Sequence, residues 1–159
     1  MTAPVAPSGS GSRTRPKVDP RQLWAGGVAT AIVAGLVALV GVLAFRWLFN
    51  IPILAPKGDG AYGDANTTNF VLAAAGAALL ATALAHLLLV STPRPLLFFW
   101  WIVGPATAAV VLYPFSTAAP LPVKAATAAV DLVIGIAIGS LLSGVAERST
   151  RVRQASEAP

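Results

Sequence analysis

Four long apolar runs, parted by short stretches of proline, glycine and charge, constrain this chain more than any other feature. A helix rising 1.5 Å per residue crosses a hydrocarbon core of about 30 Å in about 20 residues, and each run is close to that length or longer. The runs fall at 23–49, 69–90, 95–113 and 122–146. Composition agrees: 56% of the 159 residues are hydrophobic and 11% charged, with a mean hydropathy of +0.74. Too little chain lies outside the runs for a large soluble catalytic domain, a Rossmann fold or a barrel. The expected fold is an all-α membrane protein: four transmembrane helices in an antiparallel up-down bundle, with disordered polar tails.

The tails are 1–22 and 147–159. The first is built from Pro, Ser, Gly, Thr and Arg without apolar periodicity, so it buries too little surface to offset its ordering entropy. Val42-Leu43-Ala44 resembles a signal-peptidase site. The polar stretch before it is too long for an n-region and the apolar run too long for an h-region, so an uncleaved span is expected. The longest connector, 50–68, holds Pro52, Pro56, Asp59 and Asp64 among glycines and reads as a loop. Thr67, Thr68 and Asn69 are each candidate caps for the second span. Ser91-Thr92-Pro93-Arg94 is so short that spans two and three must be antiparallel neighbours. In the third span Phe98, Phe99, Trp100 and Trp101 follow Arg94 and suit an interface, while Pro105 removes a backbone donor inside the helix.

Charge sets the orientation. With the N-terminus inside, Arg13, Arg15, Lys17, Arg21, Arg94, Arg148, Arg151 and Arg153 lie inside, while Arg46, Lys57 and Lys124 lie outside. That excess of inside cations predicts a multi-pass inner-membrane protein with both termini cytoplasmic and loop 50–68 on the outer side. The net charge of +5 is carried next to spans and in tails without stacking aromatics, so the bilayer is the expected partner and nucleic acid is not.

Chemistry-bearing residues are few. The chain has no cysteine and one histidine, so thiolate sites, disulfides and paired haem ligands are not expected. Neither a Ser/His/Asp set nor an HExxH motif is visible, and no catalytic residue, cofactor or metal ligand is assigned. Within the fourth span Thr127, Asp131, Gly135, Gly139 and Ser143 recur every four residues, forming one small, polar stripe that is expected to turn inward. Gly135 and Gly139 make a GxxxG contact that would admit a close neighbour, with Ser143 continuing the packing face. The other faces carry Leu132, Val133, Ile134, Ile136, Ile138, Leu141 and Leu142, and Ala73, Ala77, Ala81 and Ala85 form a parallel packing stripe in span two.

Asp131 lies about 14 Å inside the outer boundary, where a carboxylate must be paired, protonated or hydrated. Lys124, seven residues earlier, and Arg46, near the end of the first span, are the cations within reach, so Asp131, Lys124, Arg46 and Thr127 form a candidate polar cluster. It serves either as a register-fixing pair or as a proton or cation relay. His86, one turn beyond Thr82 near the opposite face, is a candidate pH-sensitive group and is expected to be a hydrogen-bonded packing residue.

Leu23-Trp24-Ala25-Gly26-Gly27, Ile51-Pro52-Ile53-Leu54-Ala55-Pro56, Thr92-Pro93-Arg94-Pro95 and the run from Asp131 to Leu142 occur in this order. Together, over residues 21–146, they resemble a family of small four-span actinobacterial membrane proteins of unknown function. The resemblance implies the same four-helix fold and carries no activity, cofactor or catalytic residue with it. The expected role is non-enzymatic: an accessory, assembly or scaffold subunit, or a homo-oligomer, acting through helix contacts with other membrane proteins or with itself. The alternative is a small oligomeric transporter or channel with Asp131 as an intramembrane proton or cation site.

Overall fold

The computed structural model describes residues 20–56, 62–64 and 66–156. Helix α1 spans Pro20–Leu43 and closes in a π turn, Ala44–Leu48. Strands β1, Leu54–Pro56, and β2, Tyr62–Asp64, follow. Helix α2 spans Thr67–Ser91 and helix α3 spans Pro95–Leu112, which ends in a 3₁₀ turn, Tyr113–Ser116. Helix α4 runs over Leu121–Ser156. Among the described residues four helices are long and apolar enough to cross a membrane. The expected tail 1–22 falls outside the described residues except for Pro20, Arg21 and Gln22, which already belong to α1. Of the expected tail 147–159, residues 147–156 continue α4, and 157–159 fall outside the described residues.

Local chemistry explains the ends. Asn66, not the threonines after it, caps α2: its Oδ1 accepts from the Thr68 amide at 3.1 Å. At the end of α1 the chain reverses through Asn50 at φ 53°, a left-handed position that asparagine tolerates better than most residues. The closing bond runs from the Ile51 amide to the Phe45 carbonyl at 2.8 Å, one residue wider than a Schellman bond because the preceding turn is already π-wound. Trp24 and Trp47 stand exposed near the two ends of this span, about 35 Å apart along the helix, which suits the two interfaces of a bilayer. α3 stays helical through Pro105.

Glycine contacts give the register. A Cβ on Gly27 would overlap Thr82, and one on Gly35 would lie 3.4 Å from Val71, so α1 and α2 run antiparallel. On another side of α1, Gly26 faces Val145 and a Cβ on Gly41 would come within 2.8 Å of Val130, so α4 is antiparallel to α1 as well. The third seam sets Gly135 against Thr107 and Gly139 against Trp100, where an added Cβ would approach the ring to 2.6 Å. The result is an up-down-up-down bundle whose described ends lie together. α1 is its axis: it packs most extensively on α2 and α4, while α3 leans on α4 and the seams of α2 with α3 and α4 are thinner. Only 11% of the most apolar window of α3 is buried, against 28–33% in the other helices, so α3 is the least enclosed.

Two expectations about faces shift. The packed face of α2 is Ala74, Ala78, Thr82 and Ala85; Ala73 and Ala77 lie one position off it and are exposed. A one-residue offset rotates a side chain by about 100°, so neighbouring alanine series present different faces. On α4 the polar stripe faces inward, but Ile134, Ile138 and Leu142, which lie off that stripe, are buried too. The cause is that α4 contacts both α1 and α3 and so buries two stripes.

Candidate intramembrane site

The connector at 50–68 is more than a loop. β1 and β2 pair antiparallel, Leu54 with Asp64 and Pro56 with Tyr62, and the segment before them turns back into the bundle. Ile53 is fully buried within the core. Next to it, the Leu54 amide donates to Thr127 Oγ1 at 3.0 Å, and Thr127 donates to the Val123 carbonyl at 2.9 Å. Thr127 is therefore a stitch between the hairpin and α4. The signal for this was present as the apolar run Ile51-Pro52-Ile53-Leu54 inside a segment otherwise built of turn residues.

Three other hydroxyls in the spans turn back on their own helices. Thr30 donates to the Gly26 carbonyl, Thr82 to Ala78 and Ser143 to Gly139, at 2.9, 2.7 and 2.8 Å. Such i−4 bonds satisfy a hydroxyl without a neighbouring helix. Asp131 differs, since it makes no hydrogen bond or ion pair with any described residue. It lines, half-buried, a cavity of about 690 Å³ between α2, α3 and α4. Thr127 borders the same cavity at the end next to Leu54.

The two cations of the predicted cluster do not join it. Lys124 is not among the lining residues. Seven residues are about 10 Å of rise, and both side chains lean toward the N-terminus, so the lean of Lys124 carries it away from Asp131 as fast as Asp131 follows. Arg46 sits in the π turn, where Nη1 donates to Thr67 Oγ1 at 3.5 Å and ties the end of α1 to the start of α2. His86 is partly buried, and its Nδ1 has no hydrogen-bond partner among the described residues, unlike the bonded packing histidine expected. The Thr82 hydroxyl, one turn away, donates to the Ala78 carbonyl. The packing residues are engaged within the chain: Gly135 by Thr107 and Gly139 by Trp100.

The cavity also collects residues that the sequence did not mark as site residues. Thr107 of α3, opposite Gly135, lines it without a hydrogen bond to a described residue. Phe70 and Tyr113 line it, as do Ala73, Ala77 and Ala81. Their common signal is weak, because each is an ordinary apolar or aromatic residue of its own helix and only the inter-helix register brings them together. Among the described residues no group of three or more His, Asp or Glu is assembled that could hold a metal ion.

Four apolar helices, three of them around a groove with one carboxylate on its wall, define a multi-pass helical membrane protein. Within that class, residues 18–148 match the model of a family of unknown function, DUF6069, and the chain belongs to that family. No curated protein and no solved structure gives a significant match.

Proposed function

We propose that this chain is a non-enzymatic protein of the cell inner membrane, with both termini cytoplasmic, whose work centres on Asp131 as an intramembrane cation site. The observation that carries the reading is a half-buried carboxylate, unpaired among the described residues, on the wall of a mainly apolar cavity. Ionisable groups at such depth are costly, and they persist chiefly where they hold an ion, a proton or a partner group. The Gly135 and Gly139 contacts are made inside the chain, as an inward stripe requires, so the carboxylate on the cavity wall is what favours a small transporter or carrier over a scaffold.

The test is flux in proteoliposomes. Wild type and Asp131→Asn are compared for proton, sodium and organic-cation movement, alongside the mass of the detergent-solubilised particle. Flux lost in the variant with unchanged mass supports the reading; absence of cation-dependent flux in wild type overturns it. The low burial of α3 favours a second reading, an accessory or assembly subunit or homo-oligomer that covers this helix. A change of particle mass in Asp131→Asn, with no flux in either protein, would favour that reading.

A further inference from the structure

The groove between α2, α3 and α4 offers two kinds of surface. Its walls are mainly alanine, leucine, isoleucine and valine, and the polar side-chain groups on it left unbonded to described residues are the Asp131 carboxylate and the Thr107 hydroxyl. Phe70 and Tyr113 add aromatic surface, which favours cations. From Thr127 to Ile138 the groove follows α4 for about 17 Å, and its volume of about 690 Å³ lies in the range of pockets that hold drug-sized molecules.

These features discriminate between cations. A divalent metal ion needs six or more oxygens in place of its water, and one carboxylate with one hydroxyl cannot supply them. A bulky organic cation has its charge shielded by apolar substituents and asks for one anionic partner, with the rest of its surface met by apolar walls. A whole transmembrane helix, about 10 Å wide, is too large for the space. The route in is lateral. The seam between α2 and α3 is thin, and Leu80, Ile102 and Val110 on its rim are exposed on the lipid-facing surface.

We infer that this groove binds an apolar organic monocation drawn from the bilayer, its charge set against Asp131 and its body against the alanine face of α2. The inference rests on the intramembrane-cation reading above and names its substrate class. Charge complementarity selects the cation, and the shape of the groove selects against small hydrated ions.

The experiment measures equilibrium binding of tetraphenylphosphonium to the full chain in phosphatidylcholine nanodiscs. Tetraphenylborate, of nearly the same shape and opposite charge, is the control. Saturable binding of the cation alone is expected, at least tenfold weaker in Asp131→Asn and in Ala77→Phe. The second variant fills the groove from an exposed position and leaves the carboxylate in place. It decides the matter if Asp131→Asn fails to fold, as judged by size exclusion and helical circular dichroism. Equal binding of the two probes, or unchanged affinity in both variants, overturns the inference by showing simple partition into lipid. Asp131-dependent proton or sodium flux without phosphonium binding removes the substrate class and leaves the broader reading standing. Loss of both removes both.

Discussion

Replacing Thr127 with valine removes one hydroxyl and almost no volume, so it isolates the stitch between the hairpin and α4. In the wild type Thr127 is 2% exposed, and its oxygen accepts from the Leu54 amide at 3.0 Å. Valine leaves that amide with no acceptor beside the core that Ile53 enters. An unsatisfied buried donor costs about 1–3 kcal/mol, and the lower end is expected here because Leu54 is only half-buried. The lost bond from Thr127 to the Val123 carbonyl matters less, since that carbonyl still receives its helical backbone bond. At 1.4 kcal/mol per tenfold, amide exchange at Leu54 should speed up by roughly 5- to 150-fold. Hydrogen exchange with mass spectrometry on detergent-solubilised protein, read on the peptide covering 51–56, measures it. Thr127→Ser keeps the hydroxyl and should keep most of the protection. If the valine variant protects Leu54 as well as the serine variant does, the stitch contributes nothing and the reasoning fails.

Gly135→Ala should lower the thermal midpoint of the solubilised protein by overpacking of about 1–3 kcal/mol, because its Cβ would overlap Thr107, and Thr107→Ala should recover most of the loss. Gly144→Ala, with nothing near its added Cβ, should be neutral or stabilising in the same assay. Asn50→Gly should match wild type in thermal stability, while Asn50→Ala should cost about 1 kcal/mol for the left-handed backbone at φ 53°. A chain without cysteine also suits topology mapping. Gly60→Cys should react with an impermeant maleimide on intact cells and Ser8→Cys only after permeabilisation, and the opposite pattern would reverse the proposed orientation.

Hydropathy is a local, additive property, so the existence of four spans could be read directly, and most of their ends fell within a few residues of the observed ones. The inward stripe of α4 was legible for the same reason, since a period of four on one helix needs no knowledge of its neighbours. Asp131 stood out because a carboxylate in hydrocarbon is rare and expensive wherever it occurs. What could not be read is the rotation of one helix face against another. Which alanine series of α2 packs and which lines a cavity turns on one residue of offset. Sequence spacing suggested Lys124 and Arg46 as partners for Asp131, but side-chain lean and the π turn carry them elsewhere. The return of Ile53 into the core, and the meeting of Thr107 with Gly135, were decided by tertiary packing alone. Side chains contribute to hydropathy one by one, whereas a groove exists only in the space left between surfaces whose mutual rotation no single segment encodes.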